Sequence, residues 1–135
     1  MEYTQNNRGS IQFRERSRQI IDFGGLRYKN ITPTDVDGLI EYKGKAYVLM
    51  EMKYGKAEMP YGQRLAIERM IDDFSKSGKI ATAFLCEHYV ENPNEDIDAS
   101  KTIVRECYYN GKWHSDGTKT LKTRLDTFIS FVDSF

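Results

Sequence analysis

The run Ala46-Tyr47-Val48-Leu49-Met50-Glu51-Met52-Lys53 is apolar on both faces of a strand until Glu51 and Lys53 appear, two apart and therefore on one face. Residues 79–86 contain a second run of strand length, nearly continuous in Ile80, Ala81, Ala83, Phe84 and Leu85. Strands of this kind must be covered on both sides, so the chain requires a sheet with helices on both faces. Ending a buried strand in a carboxylate and an ammonium costs on the order of several kcal/mol unless each is paired or the carboxylate holds a metal ion. A Glu51 to Lys53 ion pair at a fraying strand end is the simplest answer.

The remaining elements follow from periodicity and punctuation. Residues 62–77 carry Ile67, Met70, Ile71 and Phe74 at the spacing of one buried helical stripe, closed by Gly78. Residues 11–23 place Phe13, Ile20 and Ile21 on one face between Ser10 and Gly24-Gly25, predicting a first helix. A strand is expected over 26–31, and strands over 38–42 and 45–54 form a hairpin around Lys43-Gly44. Strands over 102–109 and 112–114 flank Asn110-Gly111, a strong hairpin signal. A closing helix from about Thr118 carries Leu121, Leu125, Phe128, Val132 and Phe135 on its stripe. Ile129 and Phe131 lie off that stripe and offer either a wider core contact or a homodimer surface.

With 135 residues, 39% of them apolar, the chain is expected to form one globular domain over 1–135 with its own core. Twenty basic side chains balance twenty acidic ones, so no global field draws the molecule to a polyanion. The charge is unevenly spread. Residues 1–34 carry six basic side chains against three acids, and residues 87–98 carry five acids and no Lys or Arg, as a solvated loop would. Local contact with phosphates therefore stays open. No apolar run approaches the ~18–20 residues of a membrane span, and residues 1–7 lack the basic and apolar regions of an export signal. A cytosolic protein without a membrane partner is expected, with Cys86 and Cys107 as reduced core thiols. Cys86, His88, Cys107 and His114 lack the spacing of a structural zinc site.

Asp35-Val36-Asp37-Gly38 opens the strand that precedes the Glu51 strand, and hairpin register decides what these acids meet. A two-residue loop at Lys43-Gly44 pairs Tyr42 with Lys45 and turns Asp37 away from Glu51. A three-residue loop, Tyr42-Lys43-Gly44, pairs Glu41 with Lys45 and puts Asp35, Asp37, Glu51 and Lys53 on one face. Oxygen donors converging from adjacent strands suit Mg²⁺ or Mn²⁺. Gln63 lies four residues before Ile67, at the start of the stripe that faces the sheet, where it is either a satisfied core amide or a group that orients water or substrate.

Pro33-Thr34-Asp35-Val36-Asp37-Gly38, then Tyr47 to Lys53 with its Glu-x-Lys triplet, then Gly62-Gln63, resemble the PD-(D/E)XK nuclease superfamily over roughly residues 10 to 90. The resemblance implies a restriction-endonuclease-like α/β fold: an αβββαβ core, a mixed central sheet flanked by helices, and a C-terminal hairpin and helix. Thr34 separates Pro33 from Asp35, which leaves Asp35 or Asp37 as the ligand, with Asp37 favoured. Glu15 is the one candidate for the acid that many relatives carry on their first helix.

The resemblance further implies a Mg²⁺- or Mn²⁺-dependent nuclease. Asp37, Glu51 and the Met52 carbonyl would hold the metal, Lys53 would orient the attacking water and offset charge on phosphorus, and Gln63 would position. DNA is the implied substrate, cut nonspecifically or by structure, with Arg14, Arg18, Lys56 and Arg64 as candidate phosphate contacts. Two alternatives stand beside it: a catalytically silent domain serving a phage or mobile element as an anti-defence or assembly factor, and a nuclease acting on RNA or cyclic oligonucleotides.

Overall fold

The computed structural model describes Glu15 and residues 19–135. The chain forms two compact units, Met1–Pro33 and Thr34–Phe135. In the first, Glu15 is helical and exposed, but residues 19–23 are not helical, and Ile20 and Ile21 are exposed rather than covered by a helix face. The rest of the expected first helix lies outside the described residues. The Asp22 carboxylate accepts the Gly24 N–H at 3.0 Å and leads into a 3₁₀ turn over Gly24–Leu26, a local bond that competes with helix continuation. The strand expected over 26–31 is instead a tight reversal. Tyr28 and Ile31 exchange backbone hydrogen bonds of 2.8 and 2.9 Å across Lys29-Asn30, with Lys29 at φ 59°.

The second unit is α/β, with a five-stranded mixed sheet and two helices. Its elements are β1 (Gly38–Tyr42), β2 (Ala46–Tyr54), α1 (Tyr61–Lys76), β3 (Ile80–His88), β4 (Ile103–Tyr109), β5 (Lys112–Ser115) and α2 (Leu121–Asp133). The strands lie in the order β1-β2-β3-β4-β5. Only the β2–β3 pair is parallel, joined through α1, as a parallel pair requires a crossover.

Alternation along β2 and β3 sends one set of side chains to each helix. Leu49, Ala81, Ala83 and Leu85 pack with Ile67 and Ile71 of α1. Val48, Met50, Phe84 and Cys86 pack with Leu121, Phe128 and Val132 of α2. Burying each Ile or Leu contributes roughly 2 kcal/mol of transfer free energy, so the two stripes hold the helices on. The double cover demanded by the apolar strands is thus met. Phe135, expected on the α2 stripe, is exposed just past the helix end, whereas Ile129, expected off it, packs partly against the core.

Local signals set the boundaries. At the end of α1, Gly78 (φ 92°) donates to the Ser75 carbonyl and Lys79 to the Phe74 carbonyl, both at 3.1 Å, a Schellman closure. Asn110 and Gly111 both take positive φ, 57° and 85°, in the β4–β5 turn. Thr120 caps α2 by accepting the Thr123 N–H at 3.2 Å. Cys86 and Cys107 are free and buried, and burial pushes the Cys86 thiol up to about 11. Among the described residues no helix is long and apolar enough to cross a membrane.

Candidate functional site

The site begins with hairpin register. The ladder pairs Tyr42 with Ala46 and runs to Gly38 with Met50, so the loop is Lys43-Gly44-Lys45. Both loops considered from sequence are therefore corrected. Lys43 and Gly44 take φ of 53° and 69°, the Lys45 N–H closes on the Tyr42 carbonyl at 2.9 Å, and the Glu41 carboxylate accepts the Gly44 N–H at 2.6 Å. Lys45 adds one residue beyond a two-residue reversal. The register moves by two positions from the expected three-residue loop, and because side chains alternate with period two, the face of every residue is preserved.

One step beyond Gly38 and Met50, Asp37 stands against Glu51. Asp37 Oδ2 accepts the Met52 N–H at 2.8 Å, which caps the β2 edge where β1 has ended. Glu51 is 3% exposed, and its Oε2 has no hydrogen-bond partner. Burial, then the hydrogen bond to Asp37 and the Asp37 charge, raise the Glu51 carboxyl to about 7, while Lys53 and the Gln63 amide pull it down. A desolvated carboxylate beside a second one is stable only with a proton or a cation between them. Asp37 is the acid in contact with Glu51; the exposed Asp35 contributes its backbone carbonyl, which accepts Gln63 Nε2 at 3.4 Å.

Gln63 is buried in the first turn of α1, on the same stripe as Ile67 and Ile71. Lys53 is half-buried on the Glu51 side of β2 and pairs in register with Glu87 of β3. Asp37, Glu51, Lys53 and Gln63 therefore come together, with the Met52 N–H bonded to Asp37. The Met52 group that engages Asp37 is its N–H. Among the described residues no group of three or more His, Cys, Asp or Glu converges, so the carboxylates form a pair rather than a cage. An orphaned buried oxygen with a second carboxylate beside it fits a hard divalent cation that keeps waters in its remaining positions.

The expected phosphate contacts fare differently. Arg14 and Arg18 lie outside the described residues. Arg64 is committed within the protein: it pairs with Glu106 at 3.2 Å and Glu68 at 3.8 Å, and its guanidinium sits 4.2 Å from the centre of the Trp113 ring. Lys56 reaches Glu87 at 3.2 Å, although its side chain is 75% exposed.

Two charged residues beside the site were not anticipated. Glu87, read as the start of an acidic loop, is a buried residue of β3, which continues to His88. It pairs with Arg105 at 3.6 Å, and Arg105 also donates to the Gly55 carbonyl at 3.2 Å and the Ala57 carbonyl at 2.7 Å. Arg105 thereby ties the segment after Lys53 to β4. It is the extra residue of an irregularity opposite Leu85 and Cys86, invisible without the register. Compared with known proteins, the chain matches no family model, no curated protein and no solved structure.

Proposed function

We propose that the protein is a divalent-metal-dependent nuclease of the PD-(D/E)XK type, acting on DNA. The observation that carries this reading is the buried, unpartnered Glu51 oxygen held against Asp37, with Lys53 and Gln63 on the same side. An ion pair at a fraying strand end accounts for none of that, since Glu51 is buried in mid-strand and faces an acid first. Asp37, Glu51 and the Met52 carbonyl would hold Mg²⁺ or Mn²⁺. Such an ion supplies Lewis-acid stabilisation of phosphate charge and acidifies water in its shell.

The chain's own residues supply the rest. Lys53 sets a cation beside the carboxylates, where it orients water and offsets charge that builds on a phosphate. The Gln63 amide, anchored through Nε2 on the Asp35 carbonyl, orients the Glu51 side chain and water next to it. The α1 amino terminus, with no acid in its first turn, favours an anion nearby.

Cleavage of single-stranded and duplex DNA and of RNA under Mg²⁺ and Mn²⁺ tests the reading, together with Lys53→Ala and calorimetric metal titration. Metal-dependent cutting that Lys53→Ala abolishes is the expected result; cutting by Lys53→Ala at the wild-type rate overturns it. A catalytically silent binding domain is the second reading. The internal pairing of Arg64 and Lys56 supports it, because fewer cations are left to hold a polyanion. Absence of divalent binding dependent on Asp37 and Glu51 decides in its favour.

A further inference from the structure

The parallel strands β2 and β3 end side by side at Tyr54 and His88, immediately past Lys53. Three rings gather there. Tyr54 meets His88 edge to face with centroids 5.7 Å apart, and meets Tyr89 at a tilt, 6.4 Å apart. Tyr54 is nonetheless 51% exposed and Tyr89 60%.

The backbone beneath these rings is pinned. Gly55 turns at φ 56°, donates its N–H to the His88 carbonyl at 2.8 Å, and accepts from Arg105 at 3.2 Å. The Tyr89 ring lies against it, since a Cβ on Gly55 would stand 3.7 Å from Tyr89 Cε1. Aromatic surface is thus left facing water on a rigid support, so an incoming flat group meets it with little ordering cost.

We propose that Tyr54 and Tyr89, held with His88 at the ends of β2 and β3, are a stacking platform for unpaired nucleobases. The substrate of the carboxylate site is then a nucleic acid with a single-stranded segment; this choice of substrate rests on the nuclease reading. Tyr54 is three residues beyond Glu51, about 10 Å along the strand, and alternation turns it to the α2 side of β2, opposite Glu51 and Lys53, so a chain stacked on the platform reaches the acids by crossing the carboxyl-terminal rim of the sheet. Every base has a π face, and each stacked base contributes about 1–3 kcal/mol. Bases inside a duplex have those faces covered by their neighbours and cannot use the platform.

Charge discriminates between stacking and phosphate attraction. Lys53 and Lys56 are the nearest cations in sequence, but Lys56 is paired with Glu87, and Glu58 and Glu91 flank the same segments. Little positive field remains, so stacking rather than counterion release carries the affinity. The salt dependence of binding is accordingly shallow, with a log–log slope of roughly −0.7 to −1.4, the value for one or two neutralised phosphates on a single strand.

The test is fluorescence anisotropy of a labelled fifteen-nucleotide oligothymidylate with the full chain in EDTA, alongside an abasic strand of equal charge and a duplex of equal length. Expected are preferential binding of oligothymidylate, a loss of about 5- to 150-fold on Tyr54→Ala or Tyr89→Ala, and retention by Tyr54→Phe. Equal binding of the abasic strand or the duplex, or wild-type affinity in both alanine variants, overturns the platform. Circular dichroism of each variant, with Tyr54→Phe as the conservative control, separates lost stacking from lost folding. Lys53-dependent cleavage untouched by the tyrosine variants defeats the platform alone. Tyrosine-dependent binding with no cleavage of any substrate defeats the nuclease reading and leaves the platform standing.

Discussion

Asp37 and Glu51 face one another one step past the last rung of the β1–β2 ladder, and the Met52 N–H that β1 no longer reaches is taken up by Asp37 at 2.8 Å. The early end of β1 therefore does two things. It frees an edge position of β2 for a side-chain acceptor, and it leaves a buried carboxylate next to another acid without a second strand to shield it. That pair is where a proton or a divalent cation is held.

Asp37→Asn separates the structural task of this residue from its charge. The asparagine Oδ1 retains the bond to Met52, so urea unfolding is expected to change by less than about 1 kcal/mol. Removing one of two anionic ligands is expected to weaken Mg²⁺ at least 10-fold in a calorimetric titration, and nuclease activity by about 100-fold or more. Wild-type metal affinity in this variant would remove Asp37 from the site.

The raised Glu51 carboxyl sets the sign of a pH effect. Its ordinary value is 4.5 and its folded value about 7. The native state then binds the proton more tightly than the unfolded state, so the stabilisation is fully present below about pH 4.5 and is lost as pH rises through about 7. In EDTA, stability measured by urea is expected to fall by on the order of 1–3 kcal/mol between pH 5 and pH 8 through this group. Saturating Mg²⁺ should remove the slope by taking the place of the proton, and Glu51→Gln should remove it without metal. A slope unchanged in Glu51→Gln assigns the effect to other groups.

The β1–β2 loop fixes which acids meet, so its backbone can be tested directly. Gly44 occupies φ 69° with nothing within 4 Å of where a Cβ would stand, so the cost of Gly44→Ala is conformational rather than steric. A loss of about 1 kcal/mol is expected. Gly78, at φ 92° in equally open space, closes α1, and Gly78→Ala is expected to cost a similar amount. Both are checked by the denaturant midpoint at constant m-value, with Mg²⁺ affinity unchanged.

Much of this arrangement was legible in the sequence for a physical reason. Alternation fixes faces, and faces survive an error of two in register, so Asp37 and Glu51 were legible as sharing a face; that Asp37 rather than Asp35 stands opposite Glu51 was not, because that depends on the loop. Gln63 was legible because it continues the stripe of Ile67 and Ile71 by one turn. The 26–31 segment was not, because a two-residue reversal at Lys29-Asn30 depends on a positive φ that a lysine does not announce. Glu87 and Arg105 were not legible because acids in 87–98 look like a solvated loop. Only the register sets Glu87 within β3, where a cation from the neighbouring strand must meet it.

Arg105 provides the last prediction, since buried and exposed ion pairs behave oppositely. The Arg105 and Glu87 side chains are 15% and 8% exposed, and Arg105 also donates to the Gly55 and Ala57 carbonyls. Arg105→Ala leaves Glu87 with Lys56, which is mostly in water and screened, and strips both carbonyls of a donor. A loss of about 3 kcal/mol is expected, well above the ~1 kcal/mol ceiling of a surface pair. The Gly55 amide, bonded to the His88 carbonyl, should exchange its hydrogen faster in the same variant, because the segment it anchors has lost its tie to β4. Replacing both partners, Arg105→Met with Glu87→Leu, should cost less than Arg105→Ala alone, since no uncompensated charge stays buried. If the two replacements together are instead as damaging as the sum of the single ones, the pair is not coupled and Arg105 acts through its carbonyl bonds alone.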